Sequence, residues 1–164
     1  MRHYCLFLLS VICLLSQGCD NGDGHALDMT ETQKKVVVSL EGIPEETYPW
    51  LSIGANTSVN NTLYLVQDND IKAAPDGALG IHKGKMPPSG KVMFFEKGYY
   101  YDGICLTVIY RKRMTTAPSD SDNLTVRVRG YIDNVLSLDT VRVMRAFRKE
   151  EKIERSDYEF DIIF

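Results

Sequence analysis

Histidine is scarce in this chain. There are three in 164 residues, and only His25 and His82 lie beyond the first eighteen. Most hydrolytic and metal-based mechanisms therefore have little to work with. There is no HExxH, no Walker loop, no GxSxG and no cysteine pair at metal-ligand spacing. Nor is there an excess of positive charge. Nineteen basic against twenty-two acidic residues give a net charge of -3, which argues against a nucleic-acid partner. The oxygen-rich loops Asp68-Asn69-Asp70 and Asp120-Ser121-Asp122-Asn123 lack EF-hand spacing and read as turns. Catalysis, a metal and a cofactor are all unexpected; binding is the function class left.

What is present is ordinary globular composition, 44% hydrophobic and 25% charged, enough for one domain. The N-terminus stands apart. Arg2 and His3 precede a nearly unbroken apolar run from Tyr4 to Leu15. That run is too short to span a bilayer in a helix and reads as a signal h-region. It ends in Leu14-Leu15-Ser16-Gln17-Gly18-Cys19. An ordinary secretory signal with a nearby cysteine is the alternative.

The segment through Gly18-Cys19 resembles the signals of bacterial lipoproteins, those of Bacteroidetes in particular. Ser16 departs from the commonest pattern, which has leucine there. The resemblance covers about the first 25 residues. It implies a signal peptide over 1–18, a covalent lipid (palmitate among its acyl chains) on Cys19, and an outer-membrane, cell-envelope location. Two or three acyl chains hold a protein on a membrane stably. The leaflet stays open: acidic residues after the cysteine look like surface-export signals, whereas Asp20 points to inner-membrane retention under enterobacterial sorting. Asp139-Thr140-Val141 resembles the short O-glycosylation motif of exported Bacteroidetes proteins, which makes Thr140 a candidate acceptor.

Cysteine usage agrees with this picture. Cys5 and Cys13 would leave with the signal and Cys19 would carry lipid, so Cys105 remains alone in an apolar run. No disulfide framework is possible, and the expectation for Cys105 is a buried small hydrophobe.

Residues 19–33 are polar, carry Asp20, Asp23, Asp28 and Glu31, and hold no lysine or arginine before residue 34. They read as a flexible acidic tether. From Lys34 to Phe164 short apolar runs alternate with turn residues. Strands are expected at Val36–Leu40, Leu63–Val66, Lys91–Phe95, Tyr99–Tyr101, Gly103–Arg111, Asn123–Gly130, around Val141–Val143 and at Tyr158–Phe164. Seven prolines and glycines between Pro75 and Gly90 exclude a helix there, so a long loop is expected. Arg148–Arg155 is the only helical candidate. Gly103–Arg111, apolar in both registers, is expected to be central and covered on both faces. The final strand is similar to the closing strand of outer-membrane barrels, but the strands are too short for one. Seven or eight strands without a covering helix predict an all-β, antiparallel two-sheet sandwich, immunoglobulin-like or transthyretin-like.

Two surfaces stand out as binding candidates. Tyr99-Tyr100-Tyr101 cannot all face one core, because neighbours in a strand point oppositely. Together with Trp50 they offer flat apolar bodies with polar tips, suited to sugars or protein interfaces. Arg127, Arg129 and Arg142, with Arg145 and Arg148, form a basic stripe if their runs pair. The expected function is a non-catalytic binding or assembly module held at a membrane and docking an envelope protein. The alternatives are an outer-membrane component of a secretion or surface machine, by fold-level analogy with type VI secretion lipoproteins, and a glycan-binding accessory of a polysaccharide-uptake system.

Overall fold

A computed structural model describes residues 31–41, 49–58, 61–75, 77–82, 85–99 and 103–164, with the backbone alone at 31, 98 and 99. Alternation of apolar and polar residues puts one side of each strand into a shared core. Two antiparallel sheets result, packed as a sandwich. The larger, sheet A, runs β10 (Val135–Met144), β9 (Leu124–Ile132), β1 (Glu31–Glu41), β6 (Lys91–Tyr99), β3 (Leu63–Gln67) and β4 (Asp70–Ala74) from edge to edge. Sheet B runs β12 (Glu159–Ile163), β7 (Cys105–Tyr110), β2 (Leu51–Asn56) and β5 (Ala78–His82). A two-residue parallel bridge joins β8 (Arg113–Met114) to β11 (Phe147–Arg148).

The all-β sandwich is as the sequence predicts; the strand count is larger. Pro75, Gly77, Pro88 and Gly90 fall in turns and bends and Gly80 sits within β5, so β4 and β5 form in this stretch. Such residues exclude a helix but not short strands, which need only about five residues. The expected tether is shorter than 19–33, because β1 already begins at Glu31 and pairs with Tyr99. Asp133 fastens that end: its Oδ1 accepts from the Gln33 backbone N–H at 2.8 Å, and its own N–H donates to the Gln33 carbonyl at 2.9 Å. Asp133 and Asn134 have φ of 48° and 68°, the left-handed pair that a tight two-residue hairpin requires. Helix over Arg148–Arg155 does not form. With Ile153 its single apolar residue, that stretch has no face to bury, and one helical turn, α1 (Arg155–Tyr158), follows it.

The core lies between the sheets. Val36, Val38, Leu65, Phe94, Val126 and Val128 from sheet A meet Ile53, Leu106, Val108 and Tyr110 from sheet B, all at 0–1% exposure. Each such side chain contributes roughly 1.5–3 kcal/mol by leaving water. Phe160, Ile162 and Phe164 of the last strand pack against this cluster, so the aromatic face of β12 points inward. β7 is central in sheet B, but its outer residues Cys105, Thr107 and Ile109 are only half-buried. Strands flank them and no described strand or helix lies above, which is also why Cys105 is not fully buried.

At one end Tyr110 donates through its hydroxyl to the Asp122 carbonyl at 2.6 Å. Burial, and then the Asp122 charge, raise the phenol above its ordinary range. The Asp122 carboxylate accepts from Lys112 at 2.7 Å and from the Ser119 backbone and hydroxyl. The Lys112 bond, then those from Ser119, bring its pKa down to about 2. A carboxyl depressed in the folded state stabilises fully above its unfolded value, and that contribution is lost as pH falls through the folded one. Thermal stability should therefore drop between about pH 4 and pH 2, and Asp122→Asn should flatten that limb. Identical acid limbs for variant and wild type would contradict the assignment.

Candidate functional site: the outer face of sheet A

The two outer faces of the sandwich differ in chemistry. That of sheet B presents Ser52, Gly54 and Asn56, Gly80 and His82, Cys105, Thr107 and Ile109, and Ile163 with Asp161, which accepts from the Thr107 hydroxyl at 2.6 Å. Apart from Ile109 and the 84% exposed Ile163, these are small or polar groups, as expected of a wet face. Cys105 lies opposite Asn56 while His82 lies opposite Ser52. Four residues of strand, about 13 Å, separate them, so no cysteine–histidine pair forms. Among the described residues no group of three histidine, cysteine or acidic side chains is placed to hold a metal.

The outer face of sheet A is apolar and aromatic. Cross-strand register lines up Ala73, Tyr64, Phe95, Lys35, Tyr131 and Leu136 across all six strands. The neighbouring row holds Ile71, Val66, Met93, Val37, Arg129 and Asp139. Tyr64 and Phe95 stack with centroids 4.6 Å apart and planes 6° from parallel. Lys35 Nζ sits 4.6 Å from the Tyr131 ring centre and donates to Asn134 Oδ1 at 3.0 Å. At the β10 edge Leu136, Val141 and Val143 are 51%, 50% and 66% exposed. No described strand or helix packs across this face. Nine of the twelve positions in these two rows are apolar or aromatic, and three, Lys35, Arg129 and Asp139, are charged. An apolar face left uncovered on a monomer is often functional.

Its charges are largely paired among themselves. Arg127 grips Asp139 with two bonds, Nε to Oδ1 at 2.8 Å and Nη2 to Oδ2 at 2.6 Å. Arg129 reaches the same carboxylate at 3.5 Å, and Glu41 lies 3.8 Å from Arg127. The Arg127 bond holds the Asp139 carboxyl below its usual range. The expected basic stripe does not form. β9 and β10 do pair, but Arg142 lies opposite Val126 and Arg127 opposite Val141. Arg142 therefore projects from the other side of the sheet. Arg145 is bound to Glu151 at 2.7 Å.

Of the aromatic candidates, Trp50 is 43% exposed and lies just before β2. Tyr99 ends β6, opposite Glu31, at the other end of the sandwich; Tyr100 and Tyr101 lie outside the described residues, as does Cys19. Trp50 and Tyr99 thus do not form one surface. Thr140 sits in β10 opposite Val128, half-buried. The face built from Tyr64, Phe95, Tyr131 and Lys35 was not singled out from sequence. Its signal was available: Leu63–Val66, Val36–Val38 and Val92–Phe95 are apolar without alternation, which marks strands apolar on both sides.

Comparison with protein-family models, with curated proteins and with solved structures finds no match to this chain. Among the described residues no helix is long and apolar enough to cross a membrane.

Proposed function

We propose that this chain is a lipid-anchored module of the bacterial cell envelope that works by binding and docks a partner protein on the outer face of sheet A. The observation that carries the reading is the asymmetry of the sandwich. One outer face is mostly small and polar, with Ile109 and Ile163 its only large apolar residues among the described strands; the other holds two rows dominated by apolar and aromatic side chains with their charges already paired. Burying such a face strands few charges, and flat aromatic residues are what protein interfaces favour. The lipoprotein-like N-terminus supplies the tether, and β1 leaves that tether as an interior strand of the same sheet.

The test is capture of partners from native membranes with the natural N-terminus intact. Leu136→Lys and Val141→Lys, at exposed positions of the edge strand, should keep the thermal stability of the wild type and lose the captured partner. Mass spectrometry of the purified chain should show acyl chains on Cys19, and Cys19→Ser should release it from membranes. Recovery of the same proteins by wild type and by the Leu136→Lys/Val141→Lys variant would end the docking reading. An unacylated natural chain would end the anchoring one.

A further inference from the structure

Each sheet of the sandwich ends in two edge strands, and one of the four is left unguarded. β4, β5 and β12 have five residues each. β4 carries Asp70 and Lys72 and runs into Pro75. β5 has Gly80 at its centre, and β12 carries Glu159 and Asp161, both engaged by Arg155. Short length, charge and proline are devices that keep a foreign strand off an edge. β10 has ten residues, with no lysine, proline or glycine. Its bulge lies between Leu136 and Leu138, so Leu138–Met144 is regular. It also holds Val135, Leu136, Val141 and Val143, four of the seven large apolar side chains exposed among the described residues.

Which backbone groups of β10 are free follows from the alternation of bonds along antiparallel strands. Leu40 donates its N–H to the Gly90 carbonyl, toward β6, whereas the Gln33 carbonyl accepts on the β9 side. Odd-numbered residues of β1 therefore bond β9, as Val37 with Arg129 and Ser39 with Arg127. Even-numbered residues of β9 are left to bond β10, as Val128 with Thr140 and Val126 with Arg142. Asp139, Val141 and Val143 thus turn their N–H and C=O groups to the open edge.

This edge is complementary to itself. The regular stretch Leu138–Met144 has Val141 at its middle, and so has the trio of free backbone groups. A second β10 laid antiparallel, Val141 against Val141, sets Asp139 against Val143, Thr140 against Arg142 and Leu138 against Met144. The free groups then meet in about six bonds along a seam of roughly 20 Å. No like charges oppose each other. A two-fold centred on Asp139 or Arg142 would oppose them, and one centred on Thr140 would bring the bulge at Ser137 into the ladder. Asp139 also enters already neutralised, because Arg127 grips its carboxylate. An unrelated strand would have to match this pattern independently; a copy matches it by symmetry. We infer that β10 pairs with β10 of a second copy of this chain, two-fold about Val141, joining two six-stranded sheets into a continuous one. The dimer goes beyond the docking reading: it uses the edge of sheet A and leaves the face open.

The test is oxidative cross-linking of the full chain in detergent, with Cys105→Ser as the parent that sets the baseline. Added to that parent, Val141→Cys should give a dimer that reducing agent reverses. Val143→Cys should stay at baseline. Four strand residues, about 13 Å, would separate it from its copy, beyond the reach of a disulfide. Sedimentation of the wild type over a dilution series should show a dimer that dissociates, since so narrow a seam buries less than a permanent interface does. Val141→Lys puts two ammonium groups face to face and should weaken the dimer about tenfold, with the melting temperature of the diluted chain unchanged. Ile71→Lys, on the same face at the far edge, should remain dimeric; partner capture by that variant tests the docking reading alone. A monomer at every concentration, equal cross-linking through Val141→Cys and Val143→Cys, or Val141→Lys as dimeric as the wild type would each overturn the pairing.

Discussion

Replacing Gly130 with alanine is expected to destabilise the domain by about 3 kcal/mol, an overpacking loss at the upper end of those seen in cores. A methyl at this position would lie 2.4, 2.6 and 2.7 Å from three atoms of the Phe164 ring. Carbon atoms in contact sit near 3.5–4.0 Å, so the ring or the strand must move. The ring has little freedom. Phe164 is tied by a pair of backbone bonds, 2.8 and 2.9 Å long, to Ile104, the residue just before β7. A side chain at Gly103 would already lie 2.9 Å from the Phe164 carbonyl. Shifting the ring therefore means unpairing the end of β12, which closes one edge of sheet B over β9. The measurement is urea unfolding of Gly130→Ala, Phe164→Ala and the double variant. Phe164→Ala removes the obstacle, so adding Gly130→Ala to it should cost almost nothing further. Simple additivity of the two losses would show that the methyl and the ring never meet.

The second large effect concerns two charges inside the sandwich. Lys34 and Glu96 face each other directly across β1 and β6, at 6% and 1% exposure. Both occupy the inward register, in line with Val36 and Phe94. Removing one member of such a pair leaves the other buried without its counter-charge, a loss of about 3–5 kcal/mol. Replacing both with apolar groups of similar volume is often neutral. Lys34→Met and Glu96→Leu should thus each destabilise severely, and the double variant should regain most of the loss. Single-variant losses below 1 kcal/mol, or a double variant as poor as the sum, would show that the two charges are not coupled. A one-residue slip of β1 against β6 would move Lys34 to the outer face and set Gln33 or Lys35 opposite Glu96.

Both effects belong to the end of the molecule where the inward face of sheet A turns from aliphatic to polar, at Thr32, Lys34 and Glu96.

The all-β class was legible in the chain itself. Alternation in Leu124, Val126 and Val128 against Thr125, Arg127 and Arg129 has one physical reading, a strand with one face in the core, and β9 has that pattern. The inward aromatic face of the last strand was legible for the same reason. The absence of any amphipathic helical stretch left two sheets as the only way to bury what those strands present. What alternation cannot convey is pairing. β1 joins β9 and β6, partners that lie about 50 to 100 residues further along the chain. Only that arrangement lines up Tyr64, Phe95, Lys35 and Tyr131 in one row, places Arg142 on the side away from Arg127, and sets Phe164 on Gly130. Local residue preference decides which way a side chain points from its own strand. Which distant strand lies beside it is decided by how the whole set of apolar faces closes on one core.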